Sequence, residues 1–211
     1  MRRPVATSFL SACVVTLVVG GCGAGDKAPA ATPGADVASG SGSAGAGDGD
    51  LTAPLVDPKG TKVGTVTFSD VEGGLRVSVQ VEGLPPGFHG LHVHAVGVCE
   101  PDSANPADPS MIGDFLSAGG HIGAGAADHG AHAGDLPSLY VNRAGAGSLT
   151  TVTDALTRAD LTDDDGSAVM VHADRDNYAN IPERYAPDGP DEMTRNTGDS
   201  GGRIACGPVK G

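Results

Sequence analysis

The sequence predicts an all-β domain, an antiparallel sandwich or barrel, and three observations carry that prediction. Leu75, Val77, Val79 and Val81 alternate with Arg76, Ser78, Gln80 and Glu82, the period-two pattern of a half-buried strand. Comparable short runs recur along the chain, separated by Gly, Pro and Asp clusters. Composition agrees: 34 glycines, no tryptophan and 3% aromatics suit short strands and turns better than long helices.

The chain opens with a segment that reads as an export signal. Arg2 and Arg3 form a positive start, an apolar run peaks at Val14–Val19, and Gly20-Gly21-Cys22 ends it. The run is too short for an ordinary membrane span. Small residues directly before Cys22 resemble a bacterial lipobox, so residues 1–22 are expected to be a lipoprotein signal ending at a lipidated Cys22. An ordinary signal peptide with an incidental cysteine is the alternative. Leu10-Ser11-Ala12-Cys13 has a similar look, but too little apolar chain precedes Cys13 and too much follows it. The expected protein is exported and anchored in the cell membrane by lipid alone, on the extracytoplasmic face. Two acyl chains, as such lipoproteins carry, suffice for stable anchoring.

Residues 23–50 are nearly all Gly, Ala, Ser, Pro and Asp and cannot bury a core. They read as a flexible tether with a reach of roughly 30 Å. Residues 51–211 then form one domain. Its predicted strands are Val63–Phe68, Leu75–Val81, the short β-rich run Phe88–His94, Leu139–Val141, Leu149–Val152 and Ala168–His172. Asp163-Asp164-Asp165-Gly166 is a turn signal. Segments 98–136 and 173–202 lack any such pattern. Loops this long inside a compact domain are usually functional or disordered, and these hold or flank the histidines, which favours function.

With Cys13 removed and Cys22 lipidated, Cys99 and Cys206 remain, and an even pair in an exported protein reads as a disulfide. The formal charge of −13 excludes a basic nucleic-acid face. All seven histidines lie between positions 89 and 172. His92-Val93-His94 places two imidazoles on one face of a strand, as two ligands of one metal require; alone, such a pair is common on surfaces. His121, His129, His132 and Asp135, within fifteen residues of Gly-rich loop, suit a tetrahedral zinc site. A solvated polar loop is the alternative.

Five separated motifs now point one way. The run Gly87-Phe88-His89-Gly90-Leu91-His92-Val93-His94 resembles the copper-binding signature of copper/zinc superoxide dismutases. Gly119-Gly120-His121, His132-Ala133-Gly134-Asp135-Leu136, Val171-His172 and Gly202-Arg203-Ile204-Ala205-Cys206-Gly207 follow in that family's order. The resemblance implies a Greek-key β-sandwich or flattened barrel with two long metal-site loops. It implies copper on His92, His94, His121 and His172, and zinc on His121, His129, His132 and Asp135, with His121 bridging as an imidazolate. Asp176 and His89 are implied to brace the ligands, Arg203 to line an anion channel, and Cys99–Cys206 to be the family disulfide.

The implied activity is disproportionation of superoxide to dioxygen and hydrogen peroxide by a cycling copper ion. There is one departure: only two residues separate His129 from His132, where many members carry a longer insertion, which leaves the role of His129 open. A non-enzymatic copper-binding lipoprotein of the same fold, a copper-only dismutase, and an adhesion module with structural zinc are the competing readings. Oligomeric state is open, a homodimer included. From residue 51 onward, 22 Asp and Glu face 10 Lys and Arg, so an anionic substrate needs a local positive field.

Overall fold

The computed structural model describes residues 49–211. The expected signal, Cys22 and nearly all of the expected tether lie outside the described residues. Eleven strands run through the described part. They are β1 (Leu51–Val56), β2 (Lys62–Val71), β3 (Gly74–Val81), β4 (Gly87–His89), β5 (Leu91–His94), β6 (Ser103–Ala104), β7 (Ile112–Gly113), β8 (Leu139–Val141), β9 (Gly147–Thr153), β10 (Ala168–His172) and β11 (Arg203–Pro208). Two short helices, α1 (Arg158–Leu161) and α2 (Glu192–Thr197), and a 3₁₀ turn over Leu116–Ala118 complete it.

Nine strands form one antiparallel sheet in the order β4-β8-β9-β3-β2-β1-β11-β10-β5. Its two outermost strands are neighbours in sequence, so the sheet curls until it nearly closes into a barrel. Phe88–His94 was expected as a single run; it is instead two strands broken at Gly90. The break has a cause: the Gly90 N–H donates to Asp174 O at 2.9 Å and its carbonyl accepts from His172 N at 2.9 Å, tying this corner to the end of β10.

The alternation read in β3 is the alternation observed. Leu75, Val77, Val79 and Val81 are buried, and Arg76 and Gln80 are exposed. They join Leu51, Ala53 and Leu55 of β1, Val66 and Phe68 of β2, and Val169 and Val171 of β10 in the main core. Burying each such aliphatic side chain stabilises the fold by about 1.5–3 kcal/mol. Every residue of β10 is buried. One face looks into that core. On the other, Ala168 and Met170 pack with Phe115, Ala118 and Cys206. The long segment after β5 therefore lies over β10 and β11, fastened by the Cys99–Cys206 disulfide.

The two segments without strand pattern are not wholly irregular. The first carries the β6–β7 hairpin and the 3₁₀ turn, and the second carries α2. Strands of two residues and a helix of six are too short to leave a readable period.

Candidate metal centre

The centre is built on β5. His92 and His94 share one face of this strand, and His172 ends β10, which pairs with β5. On its other edge β5 is covered by the segment 121–135: Val93 N–H donates to Gly134 O at 2.8 Å and Ile122 N–H donates to Val93 O at 2.9 Å. A β-carbon at Gly134 would lie 2.2 Å from Val93 O, so only glycine allows this approach. The result sets His121 opposite His94 and Asp135 opposite His92.

His92, His94, His121 and His172 form a buried group that offers one ligand atom each, all within 4.8 Å of one another. The hydrogen bonds decide which nitrogens are offered. His92 Nε2 lies 2.7 Å from Asp176 Oδ2. His94 Nδ1 lies 2.8 Å from Gly119 O, and His172 Nδ1 lies 3.1 Å from Gly201 O. Each acceptor fixes a proton on that nitrogen and leaves a lone pair on the other. Those others, His92 Nδ1, His94 Nε2 and His172 Nε2, are buried and make no hydrogen bond. A buried polar atom without a partner costs about 1–3 kcal/mol, and three converging lone pairs fit a metal cation. Burial lowers the pKa of all four rings, to about 4 for His121, which keeps them in the neutral form that ligation needs. His89 differs: both ring nitrogens face carbonyls, His172 O at 2.7 Å and Pro85 O at 2.8 Å. It braces the ligand strand and has no nitrogen left for a metal.

In a second group, His92, His121, His129 and Asp135, one ligand atom from each also lies within 4.8 Å of the others. His132 adjoins it through Nδ1, 3.4 Å from both His121 Nδ1 and Asp135 Oδ2. Asp135 Oδ1 lies 2.9 Å from His121 Nδ1 and 3.2 Å from His129 Nδ1. A tetrahedron with zinc–ligand bonds of about 2.0–2.1 Å has edges of roughly 3.3–3.4 Å, and these four separations, 2.9 to 3.4 Å, approach that size. The other nitrogens of His129 and His132 are occupied: His129 Nε2 by Asp176 Oδ1 at 2.8 Å, His132 Nε2 by Ala127 O at 3.0 Å. The short spacing between His129 and His132 is accommodated by a sharp turn at Gly130, φ 88. Asp135 Oδ2 holds that turn by accepting from Gly130 N–H at 2.7 Å and His132 N–H at 3.0 Å.

Charge is concentrated here. Burial opposes charge on His129, but its bonds to Asp135 and Asp176 outweigh burial and raise its pKa to about 9. The same contacts, with His121 and His92, hold both carboxyls well below the usual carboxylate range despite their burial. Asp176 joins the two groups physically, one oxygen on His92 and the other on His129.

Arg203 begins β11, and its guanidinium donates to Phe115 O and Gly119 O, each at 2.6 Å. Burial lowers its pKa to about 10, so it stays charged at neutral pH. Gly119 O therefore serves both Arg203 and His94. Sequence reasoning missed that carbonyl, and it missed Tyr178 and Gly198, which pack on His129. No sequence signal marks a carbonyl. Tyr178, two residues after Asp176, was the nearest to a legible one.

Comparisons with known proteins agree with this geometry. The family model described as copper/zinc superoxide dismutase (SODC) matches residues 62–209. A Cu-Zn superoxide dismutase of Mycolicibacterium paratuberculosis is 43% identical over 197 residues, 90% of this chain and 79% of that protein. One from Mycobacterium tuberculosis is 46% identical over 167 residues, 75% of this chain and 69% of that protein. Among solved structures, the Cu/Zn superoxide dismutase of Brucella abortus is similar at a TM-score of 0.60 and 33% identity, covering 76% of this chain and 99% of that one. With a family model spanning most of its length and relatives this similar, the chain belongs to the copper/zinc superoxide dismutase family.

Proposed function

We propose that this chain converts two superoxide ions and two protons to dioxygen and hydrogen peroxide. Copper would be held by His92, His94, His121 and His172, and zinc by His121, His129, His132 and Asp135. Bound copper supplies the chemistry, because it can accept and return a single electron where zinc cannot. Arg203 draws the anionic substrate toward the ligands in an otherwise acidic domain. His121 turns Nδ1 toward Asp135, leaving Nε2 for the copper side, and that nitrogen is the proton carrier to the reduced substrate. Asp176 and His89 hold ligand orientation. The observation that carries this reading is the set of buried imidazole nitrogens without partners, each on a ring whose other nitrogen is already bonded.

The test is chelation and reconstitution. Metal-free protein should lose superoxide consumption and regain it with copper, and zinc alone should restore nothing. Full activity without copper would end this reading. Copper binding without superoxide consumption would favour a non-enzymatic copper-binding role.

The site of action we propose is the extracytoplasmic face of the membrane, with Cys22 lipidated and residues 23–50 as tether. The Arg2-Arg3 start, the short apolar run and the small residues before Cys22 support it. A Cys22→Ala variant should leave the membrane fraction or remain unprocessed. Unchanged processing and lipid labelling would refute the anchor.

A further inference from the structure

The zinc-side donors rest on a surface that none of them supplies. Gly198 closes α2 with φ 58, its N–H donating to Thr194 O at 2.9 Å. A β-carbon there would lie 2.1 Å from Asp176 Oδ1, 2.3 Å from His129 Nε2 and 2.4 Å from His129 Cδ2. The end of this helix thus touches the ring and the carboxylate at the bond that joins them. The backbone agrees: His129 N–H donates to Arg195 O at 2.7 Å, and Asn177 N–H to Gly198 O at 2.9 Å. Tyr178 packs on the same pair. Its N–H donates to Asp176 Oδ1 at 2.7 Å. Its ring lies parallel to that of His129, 6.3 Å away, and its hydroxyl bonds Ser138 N at 2.8 Å.

We infer that Gly198 is a positioning residue: by admitting no side chain, it lets the end of α2 press His129 onto Asp176 and so sets the zinc half of the centre. This rests on the proposed zinc site. The shortened turn between His129 and His132 gives the physical need. Two intervening residues cannot fix the His129 ring alone, and its N–H is bonded to α2 rather than within its own loop. A side chain at Gly198 would push apart the Asp176–His129 pair directly, whereas it would reach the copper side only through the Asp176 bond to His92, a ring fixed on β5.

The experiment compares Gly198→Ala with Gly189→Ala. Gly189 lies in the same segment with φ 83, so alanine there also meets left-handed backbone strain, but its β-carbon would meet nothing within 4 Å. Zinc and copper affinities are measured by chelator competition, and Co(II) replaces zinc to report four-coordination through its visible bands. Gly198→Ala should lose about tenfold or more in zinc affinity, the range for disturbed ligand-orienting partners, with altered cobalt bands and a smaller change for copper. Gly189→Ala should match the parent. Asp191→Ala serves if Gly198→Ala fails to fold: it removes the cap that accepts from Thr194 N–H at 2.8 Å and loosens α2 without touching the donors. It should weaken zinc by a smaller factor.

Parent-like zinc binding and cobalt bands in Gly198→Ala would overturn the inference. So would equal losses for zinc and copper, equal losses in the two glycine variants, or parent-like zinc binding in Asp191→Ala when Gly198→Ala does not fold. A parent that itself holds no zinc would sink the zinc reading and this inference together, and the parent titration distinguishes that case.

Discussion

Removing the Cys99–Cys206 bridge should unfold much of this protein's margin of stability. The cysteines are 107 residues apart. In the chain-entropy model, opening a loop of that length costs about 5 kcal/mol at 25 °C. Native domains hold about 5–15 kcal/mol in all. Cys206 is fully buried among Phe115, Ala118, Ala168 and Met170, so Cys→Ala at both positions also loses sulfur contacts but leaves no unpaired polar group. For a domain of about 150–250 residues, each kcal/mol moves the midpoint by about 2–4 °C, which puts the double variant roughly 10–20 °C lower. The comparison belongs on metal-free protein, because bound metal adds its own stabilisation to the native state. Urea titrations followed by far-ultraviolet circular dichroism, extrapolated linearly, give the difference directly. A loss under about 1 kcal/mol would refute the loop-closure argument.

Other consequences are equally open to measurement. Arg203→Glu should slow superoxide consumption strongly at unchanged metal content, and raising ionic strength should slow the parent more than Arg203→Ala, since screening removes an attraction the variant lacks; equal salt dependence would reduce Arg203 to a packing residue. Asp176→Ala strips the acceptor from both His92 and His129 and should weaken both metals by about 10–100-fold in chelator competition; unchanged affinities would show that Asp176 orients neither ring. Because the His129 pKa is raised from 6.5 to about 9 in the metal-free fold, its contribution to stability is complete below about 6.5 and is lost as pH climbs through about 9. Zinc must displace that proton, so its affinity should rise with pH across the same window, with proton release visible by calorimetry in buffers of differing ionisation heat; a flat profile would exclude protonation of His129. Asp135 and Asp176 act with the opposite sign, their share being present above about 3.8 and lost as acid protonates them; acid titration of stability checks it, and an undiminished fold in strong acid would contradict it.

The parts of this fold that were legible are those where one physical demand acts on a whole run of residues. β3 faces core on one side and solvent on the other, so its sequence alternates, and His92 and His94 show their shared face through the same period. β1 and β11 were not marked as strands. Pro54 interrupts one, and Cys-Gly-Pro ends the other, so neither shows clean alternation. At the centre, ligand types and spacing could be read along the chain. The choice between ring nitrogens could not, because it is made by the carbonyls of Gly119 and Gly201 and by Asp176, all distant in sequence from the rings they bond. Every residue has a carbonyl, so its identity leaves no trace. The bearing of Gly198 on His129 likewise spans two loops, and only their folded approach reveals it.

The anchoring of Arg203 has an electrostatic consequence. Its described hydrogen-bond partners are two peptide carbonyls, and no carboxylate is paired with it among the described residues. Dipoles can aim a guanidinium without cancelling it, whereas a carboxylate partner would cancel its monopole at any distance beyond the pair. The fork of Arg203 is thus locked in direction yet keeps its whole unit of charge, half-shielded from water, where its field is least damped. A small anion drifting over a surface rich in Asp and Glu meets an undiminished local attraction at this point. Net charge can then serve colloidal repulsion between copies while the local field at this point is set separately, by one side chain and two peptide groups.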